Sequence, residues 1–282
     1  MMSAASSPRP PTQQRAVLGV IRILVLIGPG MRHVPALALR ELGAYFASPL
    51  AYLVLIAIQI LAFFNFWQLV ERLKLGPVFV AGLSDPLNTY LSSSVQFWVT
   101  LMFALPALTM RLVAEEKRQG TLEGLLTAPI EEYEITLGKF AAGWVMALTL
   151  LLPYLIYLPF LHANYPFDTG PILSLLIGLA TLSMMFTAIG LFFSALAASQ
   201  VVAGIWTFAT MFALTVLALF AHASAVNTRS EWAEVLEFLA VIHQLGEFGA
   251  GRLDPRLPAL HLSVTVLLLF LTTLSLRNQR GR

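Results

Sequence analysis

The side chains that could do chemistry in this sequence are concentrated between Arg111 and Lys139. This is the only long, densely charged segment that has long apolar runs close by on both sides. Its charges come in blocks, namely the acidic pair Glu115 and Glu116 and then the basic pair Lys117 and Arg118. A charged segment in this position is what a membrane protein needs if a soluble partner is to push on it.

The same segment predicts a short helix that lies across the membrane surface. Gly120 can end one helix, because glycine adopts the left-handed conformation of a helix C-terminus without a Cβ penalty. Thr121 can cap a new helix with its hydroxyl, and Pro129 ends that helix because a residue before proline is pushed out of the α region. Its apolar face, which we expect to be offered to a partner, consists of Leu122, Leu125 and Leu126. Three glutamates at the start of the next helix suit its dipole, namely Glu131, Glu132 and Glu134.

Motifs for catalysis and for metal binding are absent from the sequence. There is no cysteine, which excludes disulfides, thiolate metal sites and cysteine nucleophiles. Gly138-Lys139 is the only Gly-Lys pair and position 133 is tyrosine, so the chain has no phosphate-binding loop. No H-E-x-x-H or G-x-S-x-G motif occurs. No two of four outer histidines have the spacing of a helical metal pair, and these are His162, His222, His243 and His261.

The composition indicates an all-α polytopic membrane protein. Hydrophobic residues make up 58% and charged residues 11% of the 282 residues, whereas a soluble domain carries about 25% charge. Six segments approach the ~20 apolar residues that a membrane-spanning helix needs. We expect these spans at about 49–70, 95–113, 138–161, 171–195, 199–221 and 259–276.

The distribution of basic residues predicts that both termini are cytoplasmic. Six spans place the termini and the 111–139 segment on one side, and that side carries 12 of the 17 Lys and Arg residues. The opposite side carries the other 5. Because basic residues are enriched on the cytoplasmic side, we expect an orientation with the N-terminus and the C-terminus both inside.

The N-terminal region divides near Met31. Residues 1–30 read as a disordered or surface-lying extension, with an extra span as the alternative, because the apolar run at 16–27 is short and contains Arg22. From Met31 onward, an interfacial helix is predicted to run into the first span. Its residues at helical spacing are Leu37, Arg40, Glu41 and Tyr45.

Three further features have two interpretations each. In the outer segment 222–258, the stretch from Glu231 to His243 predicts one amphipathic helix, which either caps the bundle or serves as a gate. Gln59 and Asn65 in the first span favour helix–helix hydrogen bonds over substrate contacts. Small residues at a spacing of four favour packing within the chain, with a homodimer seam as the alternative, and they are Gly190, Ser194, Ala198, Ala209 and Ala213.

The stretch TMRLVAEEKRQGTLEGLLTAPIEEYEITLGKF at 109–140 resembles the ABC-2 type permeases, particularly their gliding-motility-type subfamily. Upstream, the pattern R-E-L-x-x-Y-F-x-S-P at 40–49 matches the family's opening. Downstream, the Phe248–Gly251 segment and the arginine-rich C-terminal end are similar to the family's ending. The resemblance covers about 31–282 and is strongest at the centre.

The resemblance implies the permease subunit of an ATP-driven exporter in the bacterial inner membrane. It implies six spans, a second permease copy or paralogue, and separate ATPase subunits that bind ATP and Mg, so this chain itself needs no cofactor and is no enzyme. The family's coupling helix, which docks on the ATPase, corresponds to the loop between the second and third spans. Gly124 departs from the bulkier residue usual in the family. The residues implied for docking are Glu115, Glu116, Lys117, Arg118, Gly120, Thr121, Glu123, Leu125, Leu126, Thr127 and Pro129.

Other functions stay open at the level of the sequence. A permease-like component could transmit ATPase motion to a periplasmic machine, with a periplasmic auxiliary protein as partner, rather than pass a solute. A membrane-embedded enzyme is disfavoured by the missing catalytic motifs, and a secondary transporter by spans whose inner parts lack charged residues. Nothing in the sequence indicates nucleic-acid binding, and nothing selects the transported substrate.

Overall fold

The computed structural model describes residues 33–74, 86–127, 130–164, 169–227 and 231–280. Within these residues the secondary structure is helical throughout, without a β-strand. The predicted extension at 1–30 lies outside the described residues. The helices are α1 (Val34–Ala47), α2 (Pro49–Lys74), α3 (Pro86–Tyr90), α4 (Val95–Thr109), α5 (Ala114–Gln119), α6 (Leu122–Thr127), α7 (Glu132–Asn164), α8 (Gly170–Leu196), α9 (Gln200–Asn227), α10 (Glu231–Leu239), α11 (Val241–Gly249) and α12 (Arg256–Arg280).

Six helices in the described part of the chain are long and apolar enough to cross a membrane, as the sequence predicted. They are α2, α4 with its continuation α5, α7, α8, α9 and α12. The third span departs most from its expected bounds, because α7 begins at Glu132 instead of near 138. Its first turns are charged, and hydropathy therefore could not include them in the span. The fourth and fifth spans are separated by a short turn at 197–199.

The second and fourth spans form the centre of the bundle. In its most apolar stretch, the second span is 72% buried and the fourth 61% buried, whereas the first, fifth and sixth spans are each 22% buried. Ser194 ties the two central spans together, because its hydroxyl accepts from the backbone N–H groups of Val113 and Ala114 at 3.0 Å each. Gly190 lies so close to Thr109 that an added Cβ would overlap the threonine side chain. The small-residue spacing in α8 therefore serves packing within the chain at these two positions.

Helix α1 is separate from the first span. The helix ends at Ser48, which has an extended ψ of 123°, as expected for a residue before proline. The helix packs on α7, where the Cβ of Leu37 lies 2.9 Å from the position that a Cβ on Gly138 would take. Burial raises the pKa of the Tyr45 hydroxyl far above its usual value, and this hydroxyl donates to the Leu108 carbonyl at 2.9 Å.

The prediction of a single helix from Glu231 to His243 is wrong, because the helix is interrupted at Ala240. Residues Val235 and Val241 would lie on different faces of a continuous helix. The break, where Ala240 adopts an extended ψ of 106°, lets α11 turn Val241 and Phe248 into the bundle while Val235 stays exposed. This is the packing of a cap on the bundle, and a gating role stays a prediction.

The polar residues of the first span make the helix–helix hydrogen bonds that were predicted. Gln59 donates from Nε2 to the hydroxyl of Tyr157 at 2.6 Å, and Asn65 donates from Nδ2 to the carbonyl of Tyr90 at 2.9 Å. In α12, the ring nitrogens of His261 lie 3.0 Å from the side-chain oxygens of Thr181 and Gln244.

Candidate functional site

A tight glycine turn separates α5 from α6 in the predicted coupling segment. Gly120 has φ 68° and ψ 11°, the left-handed conformation that the sequence predicted. Its N–H donates to the Lys117 carbonyl at 3.2 Å, and the N–H of Thr121 donates to the Glu116 carbonyl at 3.0 Å. These two bonds are those of a Schellman motif, which ends a helix and satisfies its last carbonyls. The two short helices are thus joined without a flexible linker.

The leucine face of α6 is directed toward the bundle. Leu122 is buried in the main hydrophobic core and Leu125 is packed against it, partly exposed. The expectation that this face is offered to a partner is therefore not met at Leu122, because the bundle of the same chain already covers it. Thr121, Glu123 and Gly124 are exposed, and of these only Glu123 lies outside the cavity described below. The side chains of Leu126 and Thr127 and all of Pro129 lie outside the described residues.

A buried lysine connects this segment to two other helices. Lys139, at the start of α7, is 1% exposed, and its Nζ lies 2.9 Å from a carboxylate oxygen of Glu116 in α5 and 3.3 Å from one of Glu41 in α1. Arg40 of α1 bridges the same two carboxylates at 2.8 Å and 3.4 Å. Two cations and two anions thus form one balanced group, which we call the charge hub. The second carboxylate oxygen of Glu116 is buried without a hydrogen-bond partner among the described residues.

The four charged residues from 115 to 118 point in different directions. Glu116 faces inward to the charge hub. Lys117 also faces inward, and its ammonium donates to the carbonyls of Ala195 and Ala197 at the C-terminal end of α8, where the helix dipole favours a cation. Glu115 and the exposed Arg118 form a separate ion pair of 2.7 Å outside the charge hub. Of the residues predicted to dock the ATPase, Glu116 and Lys117 therefore hold α5 to the bundle, whereas Arg118 is exposed.

An open cavity of about 790 Å³ lies between α1, the coupling segment and α7. It brings together half of the predicted residues of the interfacial helix and the coupling segment, although they are far apart in sequence. The described residues Lys117, Arg118, Gly120 and Glu123 do not line it. The predicted residues that do are Arg40, Glu41, Tyr45, Glu115, Glu116, Thr121 and Leu125.

The spans at this end of the bundle are also tied to one another. Arg280 near the end of α12 pairs with Glu132 at the start of α7 at 2.7 Å. Gln279 donates to the carbonyl of Ala195 in α8 at 3.2 Å. A displacement of α5 and α6 would therefore be transmitted directly to α1, α7 and α8, and through them to α12.

Sequence reasoning missed two residues of this site. Lys139 was read only as part of a helix start and Arg111 only as the edge of the charged segment, yet both line the cavity. A signal was available for Lys139, since a lysine beside a long apolar run requires a counter-ion. The residues that supply its counter-ions are 98 and 23 positions earlier in the chain, and no local pattern identifies them.

Comparison with known proteins now decides the family. A family model described as ABC-2 family transporter protein matches residues 76–244, which includes the whole coupling segment. The chain belongs to the ABC-2 transporter family. As a member it is a multi-pass membrane protein and a permease component of an ABC transporter. No curated protein matches this ABC-2 chain.

Proposed function

We propose that this chain is the permease subunit of an ATP-driven exporter whose ATPase subunit docks on α5 and α6. The observation that carries the proposal is the charge hub, in which Glu116 of α5 pairs with the buried Lys139 of α7 beside α1. A loop that served only as a solvated connection between two spans would keep its lysines in water, whereas Lys139 is 1% exposed. The buried pair makes α5 and α6 a rigid continuation of the spans, as force transmission requires.

In this mechanism, ATP binding closes the partner ATPase subunits, and their motion displaces the α5–α6 unit. The Schellman turn and the contacts of Lys117 then carry the displacement into α7 and α8. The coupling segment must contact the two ATPase states differently, because a partner shifts an equilibrium only by its differential affinity for the two conformations. ATP and Mg are bound by the partner, and this chain performs no bond chemistry.

The wider assembly follows the same proposal. The excess of basic residues at the coupling end favours a cytoplasmic location of that end and of both termini. The chain would work in the bacterial inner membrane with a second permease copy or paralogue. The motif at 109–140 further suggests the gliding-motility-type subfamily.

The test is co-purification of the tagged chain with its ATPase subunit, comparing two matched charge reversals. Glu123→Lys changes the exposed outer surface of α6, and Glu71→Lys changes a glutamate that is 49% exposed near the opposite end of the bundle. We expect Glu123→Lys to lose the ATPase and Glu71→Lys to retain it.

Thermal unfolding of each purified variant keeps the comparison interpretable, since both charge reversals lie on exposed positions and should leave the melting temperature unchanged. Equal ATPase recovery from all variants would show that α6 is not the docking surface. Failure of the wild-type chain to bind any ATPase would remove the exporter proposal itself.

A further inference from the structure

A second cavity, of about 120 Å³, lies at the end of the bundle opposite the charge hub, where α2 ends and α4 begins. Nine described residues line it, and of these only Leu69 and Val95 are apolar. The other seven are one arginine, three amide side chains and three hydroxyl side chains. A cavity lined in this way at the ends of two apolar spans is suited to a polar ligand.

The amide side chains of this cavity are fixed by hydrogen bonds within the chain. Gln96 donates from Nε2 to the carbonyl of Leu61 at 2.8 Å, and its Oε1 accepts from Nε2 of Gln68 at 3.2 Å. The buried Asn65 accepts from the hydroxyl of Ser94 at 2.8 Å. The lining is therefore ordered before a ligand arrives, which lowers the entropic cost of binding.

The lining carries one positive charge and no negative charge among the described residues. Arg72 is the ionisable residue of that lining, and the neighbouring Glu71 is paired with Lys74 at 2.9 Å. A guanidinium has five N–H donors and no acceptor. The amide of Gln68 has a second N–H beside the one that it donates to Gln96. A small anion with several oxygen acceptors complements these donors, and a guanidinium binds phosphate through two parallel hydrogen bonds.

We propose that this cavity binds a phosphate group, held by the side chains of Arg72 and Gln68. Its volume of about 120 Å³ is several times the 10–15 Å³ or so that one water molecule needs. It is smaller than the roughly 300–1,000 Å³ of sites for drug-sized ligands, so it fits one small polar group. The phosphate belongs either to a phospholipid headgroup at the membrane boundary or to a soluble phosphate ester. This inference does not depend on the exporter proposal, because binding is measured on the chain alone.

The test is native mass spectrometry of the purified chain titrated with phosphatidylglycerol, and with diacylglycerol of the same acyl chains, which lacks the phosphate. Arg72→Gln is matched by Arg256→Gln, which removes a charge from an exposed residue at the same end of the bundle that does not line the cavity. We expect Arg72→Gln to weaken phosphatidylglycerol binding about fivefold, since one cation near a membrane surface contributes about 1 kcal/mol. Arg256→Gln should bind like the wild type, and diacylglycerol should bind more weakly to every variant.

Two further arms locate the phosphate and identify its source. Gln68→Leu removes the amide donor and should weaken phosphatidylglycerol binding about twofold, as expected for one exposed hydrogen bond. Soluble glycerol phosphate is followed by broadening of its phosphorus NMR signal in the presence of the chain. Broadening that Arg72→Gln abolishes would support the site with a soluble ester as ligand. Binding of phosphatidylglycerol that depends on Arg72, without such broadening, would support the site with a lipid headgroup as ligand.

Three results would overturn the proposal. Equal losses in Arg72→Gln and Arg256→Gln would reduce the effect to general surface charge. Equal binding of phosphatidylglycerol and diacylglycerol to the wild type would show that the phosphate is not recognised. A loss in Arg72→Gln with none in Gln68→Leu would place the anion outside the cavity. Arg72, Gln68 and Arg256 are all exposed, so unchanged melting temperatures of the variants separate these results from misfolding.

Discussion

Replacement of Lys139 by methionine tests whether the charge hub holds α1, α5 and α7 together. The substitution keeps the side-chain volume but leaves Glu41 and Glu116, which are 14% and 17% exposed, with Arg40 as their remaining cation. Breaking a buried ion pair from one side costs about 3–5 kcal/mol. Because Arg40 persists and both carboxylates retain some contact with water, we expect the lower end, about 3 kcal/mol.

That loss should be measurable as a fall in melting temperature, followed by tryptophan fluorescence of the purified chain. The melting temperature of domains of about 150–250 residues changes by about 2–4 °C per kcal/mol. We therefore expect a fall of about 6–12 °C. Arg118→Met is the control, because its pair with Glu115 is exposed on the arginine side and such pairs contribute about 0–1 kcal/mol.

A second substitution checks the cause. Adding Glu116→Gln to Lys139→Met removes one of the two stranded carboxylates, so the double variant should be more stable than the sum of the two single effects predicts. If Lys139→Met melts like the wild type, or if the effects of the two substitutions simply add, the charge hub does not stabilise the contacts among α1, α5 and α7. Either result refutes the reasoning.

Three further predictions concern packing and charge elsewhere, and each is read from melting curves. Gly190→Ala should destabilise by about 1–3 kcal/mol through overpacking, whereas Gly204→Ala should be milder because its nearest neighbour is a methionine sulfur at 3.3 Å. Ser194→Ala should cost about 1–3 kcal/mol, because two buried backbone N–H groups lose their acceptor. The hydrogen bond from Arg252 lowers the pKa of Glu247, so the stability difference between wild type and Arg252→Gln should be full at neutral pH and vanish as the pH falls through that lowered pKa.

Each of these predictions has a clear opposite result. Equal effects of the two glycine variants would contradict the close approach of the central spans. A neutral Ser194→Ala variant would mean that water replaces the hydroxyl. A stability difference for Arg252→Gln that is constant with pH would exclude linkage to Glu247.

The sequence predicted the parts of the fold that depend on composition and local chemistry. Hydropathy located six spans because each span must be apolar along its length, and Gly120 marked the turn because few residues adopt its conformation without cost. The family motif also marked the segment that the structure folds into the two short helices α5 and α6. The break at Ala240 was missed, because amphipathic periodicity continues across it and the cause is how α11 packs on α8.

The candidate site was predicted as a set of residues but not as an arrangement. Periodicity placed Leu122 on an apolar face, yet it could not show that the bundle of the same chain covers that face. The inward direction of Glu116 and Lys117 depends on Lys139 and on the end of α8, which are distant in sequence. Such pairings follow from tertiary packing, and no local signal reports them.

The position of the charge hub in the chain has a consequence for biosynthesis. Glu41 and Glu116 both precede Lys139, so the two counter-ions of the lysine have already been synthesised when the ribosome reaches it. All four charged residues lie in α1, α5 and α7, so no residue of α8, α9 or α12 is needed for them to pair. This end of the bundle can thus be assembled during translation, and the later spans are added to helices whose charges are already neutralised.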